Sequence, residues 1–245
     1  LADHHHHHHG VLAFGPSVTA ILGRHDSNNG HFCQQRPTLA ALGDFSLELE
    51  KPLGIVLEER QVGTTNGVCV KEIRPEGSAA SSRIVPGDVL VQVGDQNVEK
   101  LDFDTIMDLI VSSPPRVRLT VGDGLGTLDM PRNVVSLLKS KEDAYFIDAV
   151  VREAVREIRR NGRLGALLKV EVIVGAGVQK DGTRGLVRFF AIFSTDGVST
   201  YSCNVASTGI RQSDGTIKIV SLSCAKDEGL GQTFDLIKEN ENTKS

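Results

Sequence analysis

The sequence predicts an α+β protein with two folded domains, on the basis of composition, periodicity and a break in the chain. Of its 245 residues, 40% are hydrophobic and 24% are charged, which is typical of globular proteins. Segments that alternate apolar and charged residues, as strands do, are mixed with segments of helical periodicity. The Gly- and Pro-bearing stretch GDGLGTLDMPRN separates two halves. We therefore predict domains at 44–123 and 138–236, a linker at 124–137 and a polar tail at 237–245.

The remaining N-terminal segment, residues 1–43, is predicted to be a leader. Its run of six histidines, His4–His9, is most simply a purification tag, with a native His-rich tract as the alternative. Residues 11–43 hold one acid, Asp26, among Ser, Thr, Ala and Arg, which is the composition of a transit peptide. The Ala13-Phe14 step resembles the cleavage junction of plastid presequences in algae with red-lineage plastids. We expect a plastid location, in the stroma or on thylakoids; a linker behind a tag, in a cytoplasmic protein, is the alternative.

Composition argues against several kinds of function. The net charge of −4 gives no support for nucleic-acid binding, and no apolar run approaches the ~18 residues of a membrane span. All eight histidines lie at or before residue 31, so the body of the chain lacks Ser-His-Asp, Cys-His and H-E-x-x-H groups. We expect no enzyme activity, no metal and no cofactor. A small-molecule-binding or enzymatic second domain with a regulatory first domain is the alternative.

The four cysteines are scattered and form no C-x-x-C pair. This is more typical of small buried residues in a reducing compartment than of a disulfide framework or a zinc site. Cys203 and Cys224 are predicted on neighbouring strands, where a disulfide is the alternative to two free thiols.

In the first domain, strand and helix patterns follow one another closely. FSLELE, from Phe45, alternates as a half-buried strand does, and a new strand begins at Ile55 after KPLG. The strand VCVKEI precedes a turn and a short helix within RPEGSAASS, and VPGDVLVQVGDQNV reads as a turn, a strand and a hairpin. Asp102 is placed to cap the helix FDTIMDLIVSS, which ends before two prolines. RVRLTV is the closing strand.

These segments together resemble a PDZ domain. PLGI, residues 52–55, corresponds to the carboxylate-binding loop of that family, and PEGSAASSRIVPGDVLVQVGDQNV matches a family run without a gap. The resemblance covers residues 45–121 and implies a partly open β-barrel with two helices. Pro52 stands where glycine is more common, and it removes an amide donor from the loop.

The resemblance also implies a site that binds the C-terminus of a protein partner by strand addition. The carboxylate would be held by the N–H groups of the loop, with charge from a lysine, at Lys51, Leu53, Gly54 and Ile55. The groove would be lined by Leu57, Phe103, Met107 and Ile110. Phe103 stands where many members have histidine, which implies an apolar ligand residue two positions before the C-terminus. The alternative is that these apolar residues belong to the core and that the groove is closed.

The second domain is predicted as one long helix on a four-stranded antiparallel meander. Ser140 and Asp143 form a capping box, and Asn161-Gly162 ends the helix. Asp181-Gly182, Asp196-Gly197 and Asp214-Gly215 are hairpin signals between strands at 168–179, 184–195, 198–211 and 216–224.

Arginines crowd the second half of the long helix and the turn after it. They complement the negative end of the helix dipole and can pair with neighbouring glutamates. The alternative is a docking patch for an acidic partner, made of Arg152, Arg156, Arg159, Arg160 and Arg163.

We therefore expect a non-enzymatic adaptor, or an accessory or assembly subunit, that binds a protein partner through both domains. With the leader, this indicates a subunit of a plastid photosynthetic complex on thylakoids, peripheral to the membrane and without a transmembrane segment.

Overall fold

The protein is described by a computed structural model over residues 10–11, 43–226 and 231–238. The chain divides into two compact units, Leu1–Gly124 and Leu125–Ser245. Most of the predicted leader, including the Ala13-Phe14 step, and the tail beyond residue 238 lie outside the described residues. The α+β class is confirmed, since each unit combines an antiparallel sheet with helices.

The first unit is a strongly bent sheet with a short 3₁₀ helix and one α-helix. Its strands are β1 (Gly10–Val11), β2 (Phe45–Glu50), β3 (Ile55–Glu59), β4 (Val68–Ile73), β5 (Val89–Val93), β6 (Gln96–Asn97) and β7 (Arg116–Gly122). The 3₁₀ helix is Ser78–Ser81 and α1 is Phe103–Ser112. The strand order is β1-β3-β4-β5-β7-β2, and β6 pairs with β5.

Helix α1 begins where the sequence predicts. Asp102 Oδ1 accepts a hydrogen bond from the Thr105 N–H at 2.9 Å, which satisfies one of the free donors of the first turn. This bond and the Thr105 hydroxyl lower the pKa of Asp102. Ile106 and Ile110, one turn apart, are buried in the core of this unit. The cap and the apolar spacing together fix which face of α1 points inward.

In the second unit, a long helix lies on a five-stranded antiparallel sheet. The elements are α2 (Arg132–Val135), α3 (Lys141–Asn161), β8 (Ala166–Val178), β9 (Arg184–Ser194), β10 (Thr200–Arg211), β11 (Ile217–Lys226) and β12 (Thr233–Ile237). The strand order is β12-β11-β10-β9-β8, so the four predicted strands form a meander and β12 adds an edge strand. β12 was not predicted from the sequence.

The ends of α3 and the hairpin turns agree with the predicted signals. Ser140 Oγ accepts from the Asp143 N–H at 3.1 Å, and Gly162 ends the helix in the left-handed region at φ 68°. The glycines of the three Asp-Gly turns also have positive φ, between 72° and 84°. In two of these turns the glycine N–H donates to the carbonyl oxygen three residues before it, Gln179 or Gln212. The glycine thus follows the turn in the left-handed region, which it adopts without strain.

The segment predicted as a linker belongs to the second unit. Leu125, Leu128, Met130 and Leu138 pack against its core, and Val134 of α2 is fully buried there. The structure therefore differs from the prediction of a linker at 124–137. The apolar residues of this Gly- and Pro-bearing stretch follow no regular period, so their packing in a core could not be predicted. Cys203 and Cys224 lie on β10 and β11 as predicted; both are buried, and no disulfide joins them.

Candidate functional site

The loop before β3 is held from one side by the segment that leads into the 3₁₀ helix. The carbonyl oxygens of Pro52, Leu53 and Gly54 accept hydrogen bonds at 3.1, 3.0 and 2.7 Å. The donors are the N–H groups of Ser78, Ala79 and Arg74, in that order. No role was predicted for these three donor residues, although two of them lie in the run PEGSAASS that resembles the PDZ family.

This fixation determines where the loop's own N–H groups point. In a trans peptide unit the C=O and the following N–H point in opposite directions. Since the three carbonyls face the 74–79 segment, the N–H groups of Leu53, Gly54 and Ile55 point to the other side of the loop. Successive N–H groups on one side of a loop form an anion-binding concavity. The loop therefore has the donor arrangement that a terminal carboxylate requires.

Gly54 is required for this arrangement. Its φ is +69°, and a Cβ atom at this position would lie 2.6 Å from Gly77 Cα, closer than real Cβ atoms approach. The two glycines thus bring the loop and the 74–79 segment within reach of the three hydrogen bonds.

Lys51 lies at the end of α1. Its Nζ donates to the carbonyl oxygens of Val111 at 2.9 Å and Ser113 at 2.6 Å. These carbonyls belong to the last turn and cap of the helix, where a cation is favourable. Two of the three ammonium donors are used there, so the lysine that was predicted to assist a bound carboxylate instead joins the loop to α1.

The edge of β3 carries a short strand of the same chain. β1 pairs antiparallel with β3, with Gly10 opposite Leu57 and Val11 opposite Val56. The β1 strand therefore runs toward Gly54 and the N–H groups of the loop. This is the direction that a peptide would need for its C-terminus to reach those groups.

The predicted groove residues are mostly buried. Leu53, Ile55, Leu57, Phe103 and Ile110 are between 1% and 7% exposed and all belong to the core of the first unit. Four of them, all except Phe103, line an apolar cavity of about 10 Å³, which is about the size of one water. Met107 is half-buried against the same core. These apolar residues thus belong to the core of the first unit, and their role in a peptide groove stays a prediction.

The five arginines of the second unit do not form one exposed patch. Arg152 and Arg156 are buried, at 5% and 2% exposure, and Arg159 is half-buried. Arg160 is exposed and pairs with Glu157, and Arg163 is exposed beyond the end of α3. Arg152 and Arg156 are too buried to contact a partner. Any docking patch is therefore limited to the end of α3.

No helix in the described part of the chain is long and apolar enough to cross a membrane. Within residues 10–11, 43–226 and 231–238, no group of three or more His, Cys, Asp or Glu side chains could hold a metal ion.

Comparison with known proteins identifies the first unit. Residues 44–122 match the family model of the PDZ domain. A curated relative, the multiple PDZ domain protein of Rattus norvegicus, is 32% identical over 111 residues, which are 43% of this chain. The chain spans about 5% of the length of that relative.

Two solved structures that match part of this chain are described as PDZ domains. The second PDZ domain of Dlg1 from the choanoflagellate Monosiga brevicollis is 19% identical, with a TM-score of 0.30, over 33% of this chain and 98% of that one. The fourth PDZ domain of MUPP1 is 21% identical, with a TM-score of 0.30, over 35% of this chain and 78% of that one. On the match to the family model, residues 44–122 of this chain form a PDZ domain.

Proposed function

We propose that the protein is a non-enzymatic adaptor whose PDZ domain binds the free C-terminus of a protein partner. The observation that carries the proposal is that a strand edge able to pair with an added strand lies next to a loop of N–H donors. β3 accepts an added antiparallel strand along its edge, and the strand runs toward the N–H groups of Leu53, Gly54 and Ile55. Main-chain pairing would supply affinity and the loop would require a terminal carboxylate.

Because β1 lies on the same edge, the test compares the full chain with a version that lacks residues 1–42. Labelled peptides with free C-termini are titrated against both, and the best binder is repeated with an amidated C-terminus. We expect the shorter version to bind more tightly and amidation to weaken binding about tenfold or more, since charge-assisted hydrogen bonds are lost. If neither version bound peptides at millimolar concentration, the proposal would be overturned.

Ligand preference forms the second part of the proposal. Phe103 begins α1, is 7% exposed, and carries no hydrogen-bonding group on its side chain. Peptides with an apolar residue two positions before the C-terminus should therefore bind more tightly than the same peptides with threonine. Equal affinity of the two peptide series would show that Phe103 does not determine the preference at this ligand position.

We further propose that the adaptor works in a plastid, as an accessory or assembly subunit of a thylakoid complex. The support is the acid-poor composition of residues 11–43 and the Ala13-Phe14 step. N-terminal sequencing of the protein from source material tests it. A mature N-terminus near residue 14 or within 39–44 is expected, and an intact leader would contradict the plastid location.

A further inference from the structure

Ser78 contacts the chain around the loop before β3 with two different groups. Its N–H donates to the Pro52 carbonyl oxygen at 3.1 Å, and its Oγ donates to the Glu50 carbonyl oxygen at 2.6 Å. The two accepting carbonyls lie on either side of Lys51 in the sequence. One residue therefore holds the chain at both ends of the short step that leads from β2 into the loop.

The peptide unit between Glu50 and Lys51 is held from two sides. Its N–H, on Lys51, donates to the Pro115 carbonyl oxygen at 2.8 Å. The C=O of a trans peptide unit points away from its N–H, so the Glu50 carbonyl faces the opposite side, where the Ser78 hydroxyl donates to it. The hydroxyl thus joins the 74–79 segment to the end of β2, which is itself paired with β7.

Pro52 gives the loop one backbone donor fewer with which to hold itself in place. Proline has no N–H, so the chain cannot be fixed by a backbone donor at this position. The peptide unit after Pro52 carries the Pro52 carbonyl on one side and the Leu53 N–H on the other. Because the Ser78 N–H holds that carbonyl, it sets the direction of the Leu53 N–H, which is the first of the three donors of the loop.

The residue that follows Ser78 fixes the same segment in the core. Ala79 is 1% exposed and belongs to the hydrophobic core of the first unit. Its N–H donates to the Leu53 carbonyl oxygen at 3.0 Å. Residues that orient a binding group do so accurately when packing and hydrogen bonds fix their own position. Ser78 is therefore placed to transmit the position of β2 and of the core to the loop.

We propose that Ser78 is a positioning residue for the recognition of a terminal carboxylate, an inference that rests on the proposed function. Ser78 lies on the side of the loop away from the N–H groups of Leu53, Gly54 and Ile55. Its hydroxyl fixes the start of the loop, so that the three N–H groups point to one place before a ligand binds. Donors that are already ordered lose less conformational entropy on binding than mobile donors. Removal of the hydroxyl therefore weakens carboxylate recognition more than it weakens the pairing of a peptide with β3.

The test measures one labelled peptide in two forms, a free acid and a C-terminal amide, with valine at the C-terminus and two positions before it. Both forms are titrated against the full chain and against Ser78→Ala. We expect Ser78→Ala to weaken binding of the free acid about fivefold, which corresponds to one net hydrogen bond, and binding of the amide less than about twofold. The preference for the free acid should fall accordingly. Ser78→Thr keeps a hydroxyl at this position and should restore the preference.

Ser81→Ala is the matched control for Ser78→Ala. Ser81 lies in the same 3₁₀ helix, and its hydroxyl donates to the Ser78 carbonyl oxygen at 3.4 Å, within that helix. This variant should bind both peptide forms as the unmodified chain does. If Ser78→Ala only reduced the folded fraction, it would weaken both forms by the same factor. The ratio of the two affinities therefore separates positioning from stability.

An unchanged preference in Ser78→Ala, while the unmodified chain binds the free acid, would overturn the positioning role and leave the proposed function intact. An equal loss of preference in Ser81→Ala would also overturn it, because the effect would then belong to the 3₁₀ helix as a whole. If the unmodified chain bound neither form at millimolar concentration, both proposals would fail.

Nuclear magnetic resonance gives a second measurement that needs no peptide. The amide shifts of Leu53, Gly54 and Ile55 should change in Ser78→Ala and stay the same in Ser81→Ala. Unchanged shifts in Ser78→Ala would show that its hydroxyl does not orient the loop, and would overturn the positioning role whatever the peptides do.

Discussion

Arg152 and Asp148 form a buried ion pair inside the second unit, with Arg152 Nε 2.7 Å from Asp148 Oδ2. The two residues lie one turn apart on α3, and their side chains are 6% and 2% exposed. Arg152 Nη2 also donates to the carbonyl oxygen of Gly126 at 2.7 Å. The pair therefore connects α3 to the segment that precedes it in the same unit.

Removing the carboxylate of this pair should strongly destabilise the second unit. Asp148→Ala leaves the Arg152 guanidinium buried without its countercharge, and we expect a loss of about 3–5 kcal/mol in the free energy of unfolding. Tyrosine fluorescence in a urea titration measures this unit, because both tyrosines of the chain, Tyr145 and Tyr201, lie in it and the chain has no tryptophan.

Glu157→Ala serves as the matched control for Asp148→Ala. It breaks the pair between Glu157 and Arg160 on the same helix, whose side chains are 29% and 47% exposed. Exposed pairs contribute less than about 1 kcal/mol, so the control should unfold close to the unmodified protein. A similar loss in both variants would contradict a special role for the buried pair.

Two glycines of the first unit have nearly the same backbone conformation but different surroundings. Gly54 and Gly63 have φ of +69° and +71°, but only at Gly54 would a Cβ meet another atom, Gly77 Cα at 2.6 Å. Gly63→Ala should cost about 1–2 kcal/mol from the left-handed conformation alone. Gly54→Ala should cost at least about 2 kcal/mol more and abolish peptide binding, because the loop must move.

Hydrogen exchange of β3 and β4 peptides, read by mass spectrometry, follows the first unit specifically. Protection should fall far more in Gly54→Ala than in Gly63→Ala. Equal protection in the two variants would show that the close approach of the loop to Gly77 is not required.

Two different roles can be tested for Lys51: the sequence suggested that it assists carboxylate binding, whereas in the structure it caps α1. In the structure its Nζ caps α1, so Lys51→Met should lower the stability of the first unit by about 1–3 kcal/mol, the usual value for hydrogen bonds to a charged group. Peptide affinity, measured on the fraction that remains folded, should change less than twofold. A large loss of affinity at unchanged stability would instead support the role in carboxylate binding that the sequence suggested.

The features that sequence predicted well are those encoded over a few residues. Asp102, Ser140 and the Asp-Gly turns act on backbone groups two or three positions away, so residue type and spacing suffice. Lys51 contacts carbonyls about sixty positions later, and no local pattern indicates that placement. Arg152 and Arg156 belong to a charged helical stretch that is typical of solvated faces, but both are buried. Arg152 contacts the Gly126 carbonyl of the 125–138 segment, whose apolar residues follow no regular period.

The hydrogen bonds of the Asp196 carboxylate predict that the stability of the second unit depends on pH. The carboxylate accepts hydrogen bonds from the N–H groups of Val198 at 2.9 Å and Ser199 at 2.7 Å. These backbone donors, Val198 first, lower the pKa of Asp196 to about 2 from the ordinary 3.8. Because the folded pKa is the lower one, the stabilisation is present above about pH 4 and is lost as the pH falls toward 2.

The variant Asp196→Asn keeps an acceptor oxygen in the turn and removes the titrating group. Urea midpoints from tyrosine fluorescence should fall between pH 4 and 2 more steeply in the unmodified protein than in Asp196→Asn. At pH 7 the variant should be slightly less stable, since an amide oxygen accepts more weakly than a carboxylate. Asp181→Asn and Asp214→Asn are controls with pKa values lowered by similar turn contacts, and each should reduce the slope by less than Asp196→Asn. Identical slopes in all four proteins would show that the turn carboxylates do not control acid stability.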